Sequence, residues 1–181
     1  MYNKQASGQQ GFTLIELMIV IAIIAIVLSL AVPSFNDFFE KNRLKRAAEE
    51  AYGLVTKARA ETTIRDTNMS VAVDTGEWCL GYAAVAGCDC TLAAGVAGAC
   101  SVLVSGTDVL QVVNASNFSG VDIDIDSNGS TFNSVKGTAS GGNVHLKTDG
   151  GWELKIIVST MGRVRICAPA GSTTAMGYEA C

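Results

Sequence analysis

Histidine occurs once in this 181-residue chain, at His145, and the residues around it form no recognisable nucleophile motif. No Gly-rich loop of the P-loop or dinucleotide type is present either. Acid–base, nucleophilic and phosphate-cradling chemistry therefore lack their usual residues, and the chain reads as a non-enzyme that needs no cofactor. Proline is scarce, at 2 residues against 19 glycines, which suits a turn-rich β domain rather than a Pro-rich linker. Lysine and arginine are missing altogether between residues 71 and 130, where seven acids stand: Asp74, Glu77, Asp89, Asp108, Asp122, Asp124 and Asp126. Residues 131–181 invert the balance, with five bases (Lys136, Lys147, Lys155, Arg163, Arg165) against three acids (Asp149, Glu153, Glu179). A net charge of −4 thus hides a basic region on an acidic protein. No internal repeat is evident.

Glycine and proline are also absent from the longest apolar run, residues 12–32, which holds a single charge, Glu16. At about 1.5 Å per residue a helix of that length covers roughly 30 Å, the hydrocarbon thickness of a bilayer. The run predicts a membrane-spanning helix. A carboxylate so placed costs about 2.5–3.5 kcal/mol on insertion scales and calls for a partner. The segment before it, MYNKQASGQQG, is short and polar and ends in Gly11. An ordinary signal peptide or uncleaved anchor is the plainer alternative, with Ser29-Leu30-Ala31 as a signal-peptidase box. It leaves Glu16 unexplained, and the apolar region is long for a cleaved signal.

The motif GFTLIE, with the uninterrupted run behind it, resembles the processing site of class III signal peptides, the mark of type IV pilins and type II secretion pseudopilins. The resemblance implies that a prepilin peptidase cuts between Gly11 and Phe12 and methylates the new amine of Phe12. It also implies that Glu16 pairs with the N-terminal amine of a neighbouring subunit during assembly, the partner that a bare membrane carboxylate lacks. On this reading residues 1–11 are a leader, 12–32 a transmembrane and filament-core helix, 33–66 its amphipathic continuation, and 67–181 a β-rich head. What lies beyond the apolar helix is long enough for one globular domain and too short for two.

Pro33 closes the apolar run, since inside a helix proline removes a hydrogen bond and kinks or breaks the chain. The helical pattern then resumes. Leu44, Ala48, Ala51, Val55 and Ala58 recur at helical spacing, one apolar stripe among charges, with Gly53 a weak point. The charged knot EKNRLKRAAEE reads as a solvated helix face, whose bases can also meet anionic headgroups. After residue 68 the period changes to that of strands. Expected strands are residues 70–73 with 78–83 as hairpin partner, 102–104, 109–113, the strictly alternating 121–126, 143–147, 152–158 and 163–167. Asp126-Ser127-Asn128-Gly129 reads as a turn, and the Cys-rich residues 87–100 as a loop. A long helix followed by an antiparallel sheet is α+β. The stretches ARAETTIRDTNMSVAVD, WCLGYA, the turn around Asn128-Gly129 and STMGRVRIC together resemble the GspH/FimT/FimU group of minor pilins and pseudopilins, which implies the type IV pilin fold.

Arg163 and Arg165 alternate on the last predicted strand, so they project from one face about 6.6 Å apart, close to the spacing of successive phosphates on a nucleic-acid strand. Lys147 and Lys155, on neighbouring strands, widen the basic face. The Gly162-Arg163-Val164-Arg165 arrangement is similar to the DNA-binding motif of FimT proteins, minor pilins that help natural transformation. It implies double-stranded DNA as a partner, held through its backbone and released by salt. The plainer alternative is that strand alternation alone turns the arginines outward, to pair with the acids of residues 71–130.

Asp124, Asp126, Asn128 and Gly129 match the first half of a calcium loop, but Val135 stands where its bidentate Glu belongs, and a turn after an acidic strand accounts for them. The six cysteines, in a chain bound for the outside of the inner membrane, predict disulfides rather than a zinc site. The expected pairing joins Cys167 to Cys181 and makes two bridges among Cys79, Cys88, Cys90 and Cys100, a direct Cys88–Cys90 bridge being strained. The chain is thus expected to be a minor pilin. It would start in the bacterial inner membrane with its head in the periplasm, meet prepilin peptidase and other pilins, and end in an extracellular type IV pilus. There it would prime assembly or display a binding surface. A GspH-like minor pseudopilin of type II secretion is the alternative.

Overall fold

The computed structural model describes residues 11–125, 129–171 and 176–181, and for residues 30–34 the backbone alone. Leader residues 1–10 and the predicted turn at Asp126, Ser127 and Asn128 lie outside the described residues. The chain divides into two compact units, Met1–Phe38 and Phe39–Cys181.

Helix α1 runs Leu14–Ile64. Its start is capped by Thr13, whose Oγ1 accepts a hydrogen bond from the Glu16 backbone N–H at 3.3 Å. This is one arm of a Thr-x-x-Glu capping arrangement, and it satisfies a donor that the first helical turn leaves free. In the first unit the described apolar side chains of α1 are exposed on every side, among them Leu14 at 77%, Ile19 at 54% and Ile23 at 56%. Among the described residues no helix is long and apolar enough to cross a membrane. The span predicted for residues 12–32 runs past Ser29 into the part described by backbone alone. The helix continues through Pro33 and Gly53: one missing donor does not end a helix of 51 residues.

In the second unit the helix becomes amphipathic. Leu44, Ala48, Ala51, Val55 and Ala58, the stripe predicted from spacing, are all buried, with Ala47 beside them. Their small side chains share one core with Met69, Val71, Leu80, Tyr82, Leu146, Leu154 and Ile156. The described strands are β1 (Met69–Asp74), β2 (Cys79–Ala83), β3 (Ser101–Val104), β4 (Thr107–Leu110), β5 (Val112–Asn114), β6 (Val121–Ile125), β7 (Ser130–Phe132), β8 (Gly142–Thr148), β9 (Glu153–Val158) and β10 (Val164–Cys167). One sheet is ordered β5-β2-β1-β7, a second β10-β9-β8-β6, and β3 with β4 forms a separate hairpin. Neighbours in all three pair antiparallel. The fold is α+β, as the order of periods predicts.

Residues 109–113, predicted as one strand, are shared between β4 and β5, which belong to different sheets. Gln111 stands at the break and is buried. Its N–H donates to the Cys100 carbonyl at 2.8 Å, and its own carbonyl accepts from the Tyr82 N–H at 3.1 Å. Its Oε1 takes the Tyr82 hydroxyl at 3.1 Å and Lys57 Nζ at 2.7 Å. A buried amide must be satisfied, and doing so here turns the chain from one sheet to the other. The lone histidine is a packed strand residue: His145 on β8 is 8% exposed, with Nδ1 2.8 Å from Glu153 Oε1.

Candidate functional site

Two places on the chain bring together the residues singled out above. At the N-terminus, Gly11 and Phe12 precede the first helical residue, Leu14. The bond between them is free of the helix ladder and open, with Phe12 86% exposed. The Glu16 side chain is exposed and, among the described residues, makes no ion pair. Its backbone is engaged by Thr13 while its carboxylate is not.

The second place is the outer face of β8, β9 and β10. Register puts Arg165 opposite Ile157, Cys167 opposite Lys155, and Lys155 opposite His145, so Arg165, Lys155 and Lys147 share a face. Arg163 sits one residue ahead of β10 in a tight turn. There Gly162 N–H donates to the Ser159 carbonyl at 2.8 Å, Ser159 N–H to the Arg163 carbonyl at 2.9 Å, and Arg163 N–H to Ser159 Oγ at 3.1 Å. Gly162 has φ +74°, the left-handed conformation that glycine adopts without strain. Ile157, Ser159, Met161, Arg163 and Arg165 line an open groove of about 410 Å³. Both arginines are exposed, and neither forms an ion pair among the described residues. Pairing with the described acids of residues 71–130 is therefore not what holds them outward.

Lys147 differs. Its Nζ lies 3.0 Å from Asp124 Oδ2. The Lys147 hydrogen bond, with help from the Ile125 N–H, holds the Asp124 carboxyl below the usual carboxylate range. In return Asp124 raises the Lys147 ammonium above its ordinary value, with smaller contributions from Glu153 and Asp122. Of the four predicted bases, three remain available on the face and Lys147 is committed to an acidic neighbour.

The cysteines join as Cys79–Cys90, Cys88–Cys100 and Cys167–Cys181, with Cα separations of 6.0, 5.0 and 5.0 Å. The first two bridges lie against β2 at Gly81, where a Cβ would stand 2.6 Å from that of Cys100 and 3.2 Å from that of Cys90. No thiolate is left for zinc. Of the half calcium loop, Asp124 is occupied by Lys147, and Asp126 and Asn128 lie outside the described residues. Sequence reasoning passed over Thr13 and Gln111. Thr13 carried a legible signal in its Thr-x-x-Glu spacing, whereas Gln111 carried none.

Residues 6–32 match the prokaryotic N-terminal methylation motif, and residues 47–162 match the family of the type II transport protein GspH. The chain belongs to the GspH family. A fimbrial protein of Pseudomonas aeruginosa is 45% identical over 53 residues, 29% of this chain and 34% of that protein. The type IV major fimbrial protein FimA of Dichelobacter nodosus is 41% identical over 73 residues, 39% of this chain and 44% of that protein. The chain spans less than half the length of these curated relatives. Among solved structures, the type IV minor pilin FimU of Pseudomonas aeruginosa superposes with a TM-score of 0.51 at 19% identity, covering 75% of this chain and 98% of that one. The minor pseudopilin EpsH from the type 2 secretion system of Vibrio cholerae gives 0.50 at 12% identity, covering 71% and 98%. Identities this low speak for the fold alone. The family is named for a type II transport protein, and the fold neighbours are a minor pilin and a minor pseudopilin, structural proteins rather than enzymes. The family match ends at Gly162, so Arg163, Arg165 and the Cys167–Cys181 bridge lie just beyond it.

Proposed function

We propose that this chain is a minor pilin of a type IV pilus. Residues 12–32 hold the precursor in the bacterial inner membrane with the head in the periplasm, and prepilin peptidase cuts between Gly11 and Phe12 and methylates Phe12. The helix then enters the filament beside those of other pilins, and the head primes assembly or presents a binding surface. The observation that carries this reading is the start of α1, where an open Gly11–Phe12 bond precedes a Glu16 carboxylate with no ion pair among the described residues and an apolar surface left exposed. Such a surface needs lipid before assembly and neighbouring helices after it. The carboxylate needs a cation, and the new amine on Phe12 of an adjacent subunit supplies one. Glu16→Ala should leave the precursor in the membrane but lower its content in sheared filaments by at least tenfold, which corresponds to about 1.4 kcal/mol. Incorporation equal to the parent's would remove Glu16 from assembly.

Within that role the head binds the backbone of double-stranded DNA through Arg163 and Arg165, with Lys155 beside them. What supports this is the exposure of the two arginines, with no acidic partner among the described residues. A second reading, a minor pseudopilin of a type II secretion machine, is favoured by the family description itself. Deleting the gene separates the two: loss of surface pili supports the first reading, and loss of secreted enzymes with pili intact supports the second.

A further inference from the structure

We infer that the phosphate-binding surface extends beyond β10 and takes in Arg59 of α1 and Lys136 of the turn before β8. The inference rests on the DNA-binding reading above. Its basis is the contact between two turns. A Cβ on Gly162 would stand 2.8 Å from the Gly137 carbonyl oxygen and 3.7 Å from Arg59 Nε. The turn that carries Arg163 therefore abuts both the turn that carries Lys136 and the Arg59 side chain. Hydrogen bonds fix both turns. Lys136 N–H donates to Asn133 Oδ1 at 2.8 Å and Gly137 N–H to the Asn133 carbonyl at 3.0 Å. Ala139 N–H ties one turn to the other through the Thr160 carbonyl at 3.0 Å.

The charges brought together there are uncompensated. Arg59 has Val55, Thr56, Thr62 and Thr63 one helical turn to either side, so no acid can reach it along its own helix. Arg59, Lys136, Arg163 and Arg165 are all exposed, and none makes an ion pair among the described residues. Other bases of the head are engaged: Arg65 with Glu61, Lys147 with Asp124, and Lys57 with Gln111. Four cations from three separate elements, three of them arginine, are thus held on rigid backbone with no acid paired to them among the described residues. The guanidinium fork matches phosphate oxygens two at a time, and four cations gathered on one surface suit the closely repeated charges of a phosphodiester backbone.

The test measures binding of the full-length protein, in uncharged detergent, to a short DNA duplex across a series of salt concentrations. Each phosphate neutralised contributes about 0.9 to the slope of log K against log salt. Arg59→Ala/Lys136→Ala should lower that slope by about 2 with unchanged circular dichroism and melting temperature. Arg46→Ala, an exposed base roughly 20 Å along the helix, should leave it unchanged. A double mutant with the parent's slope, while Arg163→Ala/Arg165→Ala loses binding, would overturn the extension and leave the DNA reading standing. A parent protein that binds no duplex would overturn both. Polyglutamate competing as well as DNA would make the surface a dock for acidic protein and overturn the phosphate assignment, as would an Arg46→Ala effect equal to that of the double mutant.

Discussion

Residues 14–29 and 44–62 belong to one helix, yet the first stretch leaves isoleucine, valine and leucine side chains about half exposed or more while the second buries Leu44 and a row of alanines. The difference lies in what each stretch is given to pack on. In the second unit, two sheets and the helix share one core, and alanine lets backbones come close. The first unit has bulky apolar groups all round and, among its described residues, no sheet. Apolar exposure of that extent on a monomer marks a surface meant for something else, on the proposed function lipid or other helices.

The largest expected effect breaks the buried side. Leu44, fully buried, should cost about 2–5 kcal/mol when cut to alanine, read as a lowered melting temperature of the detergent-solubilised chain. Next comes a charge on the exposed side. Ile23→Lys should weaken membrane integration by about 2.5–3.5 kcal/mol, seen as precursor released by carbonate. Val85→Lys on the head should change stability by no more than about 0.5 kcal/mol. Ile23 and Val85 are 56% and 60% exposed, so equal outcomes would mean that exposure has one meaning along the whole chain.

A smaller effect concerns the head's contact with its helix segment. The Tyr178 hydroxyl donates to Glu49 Oε1 at 3.0 Å. Burial, then that hydrogen bond, pushes its pKa from 10.0 up to about 12. Folding therefore favours the neutral phenol, and this stabilisation is complete below pH 10.0 and lost as pH rises to about 12. Tyr178→Phe should cost about 1 kcal/mol at neutral pH and flatten the alkaline loss of stability. Tyr82, also raised to about 12 chiefly by burial, keeps the remainder. Gly53→Ala acts in the opposite direction. Nothing lies within 4 Å of the added methyl, so it should stabilise the helix by about 1 kcal/mol.

Legibility followed the range of the interactions. The stripe from Leu44 to Ala58 and the alternation of β6 are local periodicities, and both were readable from spacing. β7 has three residues, too few to show a period. The division at Gln111 depends on Tyr82 and Lys57, distant in sequence, so residues 109–113 look like one strand. The same holds at the candidate site. Arg163 and Arg165 announce themselves by alternation, whereas Arg59 and Lys136 join them only through the packing of Gly162 on Gly137. Lys147 looked free because its partner, Asp124, sits on another strand.

The central claim is that the chain matures at Gly11–Phe12 and assembles through the helix so exposed. Intact mass of the membrane-extracted protein tests it most directly. The expected species begins at Phe12, carries one added methyl, and lacks two hydrogens for each of its disulfides. A mature chain that begins after Ala31, or one that keeps its first eleven residues, would contradict it.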